Sequence, residues 1–134
     1  MATVKIVDKK TLRNWIIGVP RAISLTIIDV RDDDHIGGHI KGSRHHPTSS
    51  FANNLPFLFQ ELQEVSVVVF HCALSQQRGP SAASMYLRYA EMIHSVINQE
   101  VYVLKGGFVE WQEAFGNDKR LTEAYEESVW KGLS

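Results

Sequence analysis

The chain of 134 residues has a single cysteine, Cys72. One thiol excludes an internal disulfide and a multi-thiolate zinc site. Charge of one sign is missing too. Lys and Arg number 14 against 15 Asp and Glu, a net charge of −1. There is no basic surplus to neutralise phosphates, so a nucleic-acid partner is not expected. Long apolar runs are absent: stretches such as Val67 to Phe70 fall far short of a membrane span. The amino-terminal Met-Ala-Thr-Val-Lys-Ile-Val-Asp offers no apolar stretch long enough for a signal peptide. The expectation is a protein with no membrane partner, cytoplasmic, with the nucleus as a second compartment. Repeats, low-complexity tracts and linkers are lacking as well. With 44% apolar residues, one domain over residues 1–134 can bury a core without staples.

What is present alternates apolar runs with helical patterns, the mark of an α/β layer fold. Val4 to Val7 reads as a strand. Asp8 caps a helix with Leu12, Trp15 and Ile16 on one face, stopped by Gly18 and Pro20. Leu25 to Val30 is a buried strand, and Arg31 to Gly42 a charged loop. Arg44 to His46 is a short edge strand before Pro47. Leu55, Leu58, Phe59 and Leu62 share a helix face. Val65 to Phe70 is the most strand-like run, a central parallel strand. Pro80 opens a helix carrying Ala83, Tyr86, Leu87 and Ala90 on one side. Val101 to Leu104 is a further strand. A core helix follows with Phe108, Trp111, Ala114 and Phe115, closed by Gly116. Leu121, Tyr125 and Val129 suggest one more short helix on the outside.

Cys72 falls at the carboxyl end of the central strand, where ligands sit in such sheets. Five residues separate it from Arg78: Ala73, Leu74, Ser75, Gln76 and Gln77. Gly79 and Pro80 lead into the helix. A loop wrapping into a helix amino terminus points backbone N–H groups inward and makes an anion site. The same field favours thiolate over thiol at Cys72. Arg78 supplies a planar fork that grips two oxyanion oxygens at once. Cys72 is therefore the expected nucleophile, with Arg78 and the loop from Ala73 to Gly79 binding the oxyanion. The competing reading is a structural buried cysteine beside a surface arginine.

His71-Cys72-x5-Arg78 resembles the active-site loop of the rhodanese-fold family of cell-cycle dual-specificity phosphatases and small eukaryotic arsenate reductases. Ile28-Asp29-Val30-Arg31 with Gly38-His39-Ile40-Lys41-Gly42 is similar to its amino-terminal signature. Leu104-Lys105-Gly106-Gly107-Phe108 through Trp111 is similar to its carboxyl-terminal one. The Leu-Ser-Gln-Gln-Arg-Gly-Pro-Ser-Ala-Ala run also occurs in small yeast phosphatase-like members. The resemblance runs from about Val7 to Tyr125. It implies a three-layer rhodanese-like fold around a central, mostly parallel five-stranded sheet. It also implies phosphatase chemistry through a phosphocysteine intermediate, on a phosphoprotein, or reduction of a small oxyanion, arsenate. The sulfurtransferases of this fold have four residues in the loop, a ring sized for sulfur. Five here suit a tetrahedral anion.

The phosphatases carry a glutamate just before the loop arginine, where this chain has Gln77, which has no proton to give. An aryl leaving group needs the least help, so tyrosine phosphatase chemistry survives best. Asp29 is a candidate acid, or a buried carboxylate bracing the loop through Arg31. Arsenate reduction tolerates the missing acid but needs a second thiol. No cofactor is expected for the phosphatase; for the reductase the resemblance implies glutathione and glutaredoxin as partners. A phosphate-binding module and a sulfurtransferase remain lesser alternatives.

His35, His39, His45 and His46 lie close in sequence, but Gly37-Gly38 argues against one helical face, and no metal is expected. His71 either orients the loop or bonds backbone at a strand end. Asp32-Asp33-Asp34 reads as a solvated run that could repel competing anions or contact a basic partner. Ser75 and Ser81 are candidate hydroxyl donors. Trp15, Trp111 and Trp130 read as core or rim packing.

Overall fold

The computed structural model describes residues 3–93 and 98–131. Five parallel strands form one sheet in the order β1-β6-β5-β2-β4. They are β1 (Val4–Val7), β2 (Leu25–Asp29), β4 (Arg44–His45), β5 (Val67–His71) and β6 (Glu100–Leu104). A two-stranded antiparallel ribbon joins β3 (His39–Ile40) to β7 (Thr122–Glu123). The helices are α1 (Lys9–Ile17), α2 (Thr48–Glu61), α3 (Arg78–Met92), α4 (Gly107–Phe115) and the short α5 (Glu127–Trp130).

Period-two alternation sorts the strand side chains between two cores. Ile28, Val68 and Phe70 meet Phe51, Leu55, Leu58 and Phe59 of α2 and Ala83, Tyr86, Leu87 and Ala90 of α3. Ile27, Val69 and Leu104 meet Leu12 of α1, Phe108 and Trp111 of α4, and Leu121. The result is a three-layer α/β/α arrangement. Every residue of β5 is buried, because covering both faces of a central parallel strand leaves it no polar side.

The local signals work as expected at several points. Asp8 Oδ1 accepts the Thr11 N–H at 2.8 Å, capping α1, and Gly18 closes it in the left-handed region at φ 79°. Four readings are corrected. Helix α3 begins at Arg78 rather than Pro80; Pro80 still stands in the first turn, where its missing N–H costs nothing. Ala114 is exposed, and Gln112 is buried in α4 together with Phe108 and Trp111. Its Oε1 accepts the Tyr125 hydroxyl at 2.6 Å. The segment around Leu121 to Val129 is mostly not helix. Thr122 and Glu123 form β7, because pairing with β3 satisfies their backbone, and only Glu127–Trp130 turn as α5. The aspartate run is not simply solvated, as described below.

Candidate active site

β5 ends at His71, in the middle of the sheet between β6 and β2. The chain then turns through Cys72 to Gln77 into α3. Ser75 makes the turn possible by adopting φ 56°, a conformation few non-glycine residues take. It points the Ser75 N–H at Cys72 Sγ, 3.2 Å away, while Ser75 Oγ accepts the Cys72 N–H at 3.4 Å. Leu74, Gln76 and Gln77 are exposed on the outer rim. Gly79 is buried, and a Cβ there would stand 3.3 Å from His71 Cα. The first turn of α3 thereby lies close against the end of β5.

Helix α4 holds the loop from the other side. The Phe108 N–H donates to the Cys72 carbonyl and the Val109 N–H to the Ala73 carbonyl, each at 3.0 Å. These are two of the unpaired donors of a helix amino terminus. Gly107, at φ 59°, allows this approach. A Cβ on Gly107 would stand 2.5 Å from the Cys72 carbonyl oxygen and closer still to that of Ala73. Gly107→Ala is expected to cost about 1–3 kcal/mol through the strained backbone and the clash. It should also reduce turnover by moving Cys72, so chemical denaturation and a rate assay on the same sample check it. The Leu-Lys-Gly-Gly-Phe run carried this signal, but sequence alone did not say what approached the glycines.

Cys72 is 3% exposed and packs with the α2–α3 core beneath its own loop. Arg78, about one third exposed, does not leave its fork pointing into water. Its Nη1 and Nη2 donate to Asp34 Oδ1 and Oδ2 at 2.8 and 2.6 Å, and Nη1 reaches Asp32 Oδ2 at 3.4 Å. The sequence reading takes the run as solvated, able to repel competing anions or contact a basic partner, and does not foresee this pair within the chain. β2 and β5 are adjacent parallel strands, so the loops leaving their carboxyl ends share one rim, and a fork on one loop meets the acids of the other. Hydrogen bonding to Asp34, opposed by partial burial, holds Arg78 above its ordinary value; the charges of Asp34 and Cys72 add to this. The Arg78 hydrogen bonds bring Asp34 down to about 2.

Behind the loop sits a buried polar knot. Asp29 and Arg31 are both fully buried and pair at 2.8 Å through Nη2, while Arg31 Nε bonds both carboxylate oxygens at 3.1 Å. Burial alone would push the Asp29 carboxyl up, but His71 and Arg31 outweigh it and hold it below its ordinary value. Through Arg31, Asp29 is tied to the carbonyls of Ile36 and Gly38. His71 Nδ1 lies 3.1 Å from the Cys72 carbonyl, and its Nε2, 3.8 Å from Asp29, has no hydrogen-bond partner. His35 stacks on His45 at 3.8 Å and approaches Asp29 at 3.4 Å. Ser81 is exposed beside a hollow of about 230 Å³ that Thr48, Phe51, Arg78, Ala82 and Met85 also line.

Burial, the largest cause, pushes His35, His46 and His71 below the ordinary histidine value. The unfolded chain therefore takes up protons first as pH falls through about 6.5. Stability is full above that value and declines below it. For fully buried His71 alone the slope reaches about 1.4 kcal/mol per pH unit. The urea midpoint is expected to fall on going from about pH 7.5 to about pH 5.5; a flat profile would contradict this burial.

Comparison with known proteins fits this arrangement. The rhodanese-like domain matches residues 10–114. The chain belongs to the rhodanese-like family. The CDC25-like phosphatase YCH1 of Saccharomyces cerevisiae is 33% identical over 145 residues, covering 98% of this chain and 97% of the relative. Arsenate reductase 2.2 of Oryza sativa subsp. japonica is 42% identical over 90 residues, 66% of this chain and 69% of the relative. Among solved structures, the yeast protein Ygr203w, described as a protein tyrosine phosphatase of the rhodanese family, superposes with a TM-score of 0.85 at 34% identity. That match covers 98% of this chain and 99% of the other. This rhodanese-like chain thus has phosphatases and arsenate reductases as relatives, both cysteine-based enzymes, the class expected from the sequence. No described helix is long and apolar enough to cross a membrane.

Proposed function

We propose that the chain is a cysteine-dependent phosphatase of protein-tyrosine or dual-specificity type, with Cys72 as nucleophile and Arg78 as oxyanion clamp. The observation that carries this reading is the Ser75 N–H aimed at Cys72 Sγ at 3.2 Å, in a loop that runs directly into Arg78 at the start of α3. The near full-length likeness to the yeast phosphatase supports it.

The Cys72 thiolate attacks phosphorus and forms an S–P bond as the P–O bond to the leaving group breaks. Loop amides and Arg78 carry the charge on the equatorial oxygens. Water then attacks the phosphocysteine, releases phosphate and restores the thiolate. The leaving oxygen needs a proton or a low intrinsic basicity. Gln77 is an amide that cannot give up a proton at neutral pH, and Asp29 is buried behind the loop on Arg31. A phenolate therefore leaves most readily, which favours phosphotyrosine over phosphoserine.

The second reading is arsenate reduction, favoured by the rice relative. Arsenate would take the same cradle and form a Cys72–arsenic adduct. Cys72 is the only thiol, so glutathione and glutaredoxin would bring the reducing equivalents. A side-by-side assay decides. Turnover of an aryl phosphate without added thiol is the expected result. Turnover seen only with arsenate, glutathione and glutaredoxin would replace the phosphatase reading, and phosphopeptide binding without any turnover would replace both.

A further inference from the structure

Arg78 is met by the kind of ligand it would offer to a substrate. A carboxylate taking both Nη atoms end-on, at 2.8 and 2.6 Å, makes the two-pronged contact that two oxygens of a phosphoryl group would make. That carboxylate is held in advance. The Asp32 N–H donates to Asp34 Oδ1 at 2.9 Å, and Arg31 Nη1 reaches the Asp34 carbonyl at 3.4 Å. Asp32 is fixed in turn by the start of α2, where the Thr48 hydroxyl donates at 2.5 Å and the Ser49 N–H at 3.2 Å. Asp33, exposed between the two, enters none of the ion pairs of the described residues.

We propose that Asp34, positioned by Asp32 and Thr48, is a built-in competitor for the oxyanion that lowers the site's affinity for every phosphate by one common factor. The proposal rests on the reading of Cys72 and Arg78 as an oxyanion site. An incoming anion and the Asp34 carboxylate cannot share one edge of the guanidinium, and their like charges repel. Only the fraction of molecules with Arg78 released can bind, and apparent affinity falls by that fraction. Asp34 holds its charge down to about pH 2, so protonation does not open the latch in the neutral range; displacement does.

The latch costs every phosphate ligand the same factor, so a ligand with no other contact is left the weakest. Inorganic phosphate has only the cradle to bind. A phosphate ester also has its organic group, and the hollow of about 230 Å³ beside Arg78 is floored by Phe51, Ala82 and Met85. Its size, just under the usual small-molecule range, suits one side chain. Apolar contact there offsets the cost of displacing Asp34. Free phosphate, which is also the product, is thereby left weakly held, while an ester that reaches the hollow keeps its additional contact.

The test is calorimetric titration of the wild-type chain, Asp34→Asn and Asp33→Asn with inorganic phosphate, alongside KM for an aryl phosphate. Asp33→Asn removes the same charge from the same loop without touching Arg78. Asp34→Asn is expected to tighten phosphate binding about tenfold or more and to lower KM for the ester by a similar factor. Asp33→Asn should shift either by less than about threefold. Asp34→Ser, which removes the carboxylate differently, must behave as Asp34→Asn does. If the wild type binds phosphate and the Asp34 variants bind no more tightly than Asp33→Asn, the latch is overturned and the site stands. If turnover by Asp34→Asn collapses for alkyl esters far more than for aryl esters, Asp34 is an acid and the latch is again overturned. If no variant binds phosphate even with the latch removed, the oxyanion site itself is refuted along with it.

Discussion

Cys72→Ser removes all measurable turnover of an aryl phosphate and leaves inorganic phosphate binding in place: that is the expected result. The reason is ionisation. The substituted hydroxyl stays protonated at neutral pH, and among the described residues the one partner of the Cys72 sulfur is the Ser75 N–H, a donor and not a base, so it is a poor nucleophile. The rest of the cradle does not depend on sulfur. The Ser75 N–H has an oxygen to donate to, and the carbonyls of Cys72 and Ala73 remain tied to the Phe108 and Val109 amides. Some stability is lost, because a hydroxyl replaces a small apolar thiol in a buried position. Circular dichroism and a phosphate titration separate that from chemistry. A Cys72→Ser chain that folds, binds phosphate and still hydrolyses the ester would show that the nucleophile lies elsewhere.

Arg31→Met is the second large effect, expected to lower unfolding free energy by about 3–5 kcal/mol. Arg31 and Asp29 are fully buried. The guanidinium lies 4.4 Å from the Phe108 ring centroid and donates to the carbonyls of Gly38 at 2.8 Å and Ile36 at 3.3 Å. Removing it strands a buried carboxylate and frees the carbonyls of the 31–38 loop. Lysine does not restore this, because one ammonium cannot reach both carboxylate oxygens and the loop together. The double replacement Asp29→Leu with Arg31→Met should recover much of the loss, since removing both partners leaves no unpaired charge. Denaturant midpoints measure both. Equal losses in the single and double variants would mean that packing of the Arg31 stem, rather than its charge, is the source.

The same pair shows what a sequence yields. The run Leu-Thr-Ile-Ile-Asp-Val carries enough β-branched residues to demand a buried strand, and an aspartate and an arginine two residues apart suggested a brace. The direction of the pairing, and the proximity of His35 and His71 to one carboxylate, came only with the packed sheet. Asp32 and Asp34 were the larger omission. Nothing local distinguishes an acidic run in water from one that binds an arginine 44 residues on.

What the residues alone dictated was local: one thiol at the end of the most apolar strand, a five-residue spacer to an arginine, glycines after the last strand and capping at Asp8. These follow from periodicity, φ preference and the chemistry of single side chains, which act over a few positions. Only the tertiary structure set β2 beside β5, and with that the two loops whose opposite charges meet. It also brought the α4 amides onto the Cys72 and Ala73 carbonyls. Strand order is decided by how two apolar faces are covered at once, a property of the assembled layers that no single segment contains.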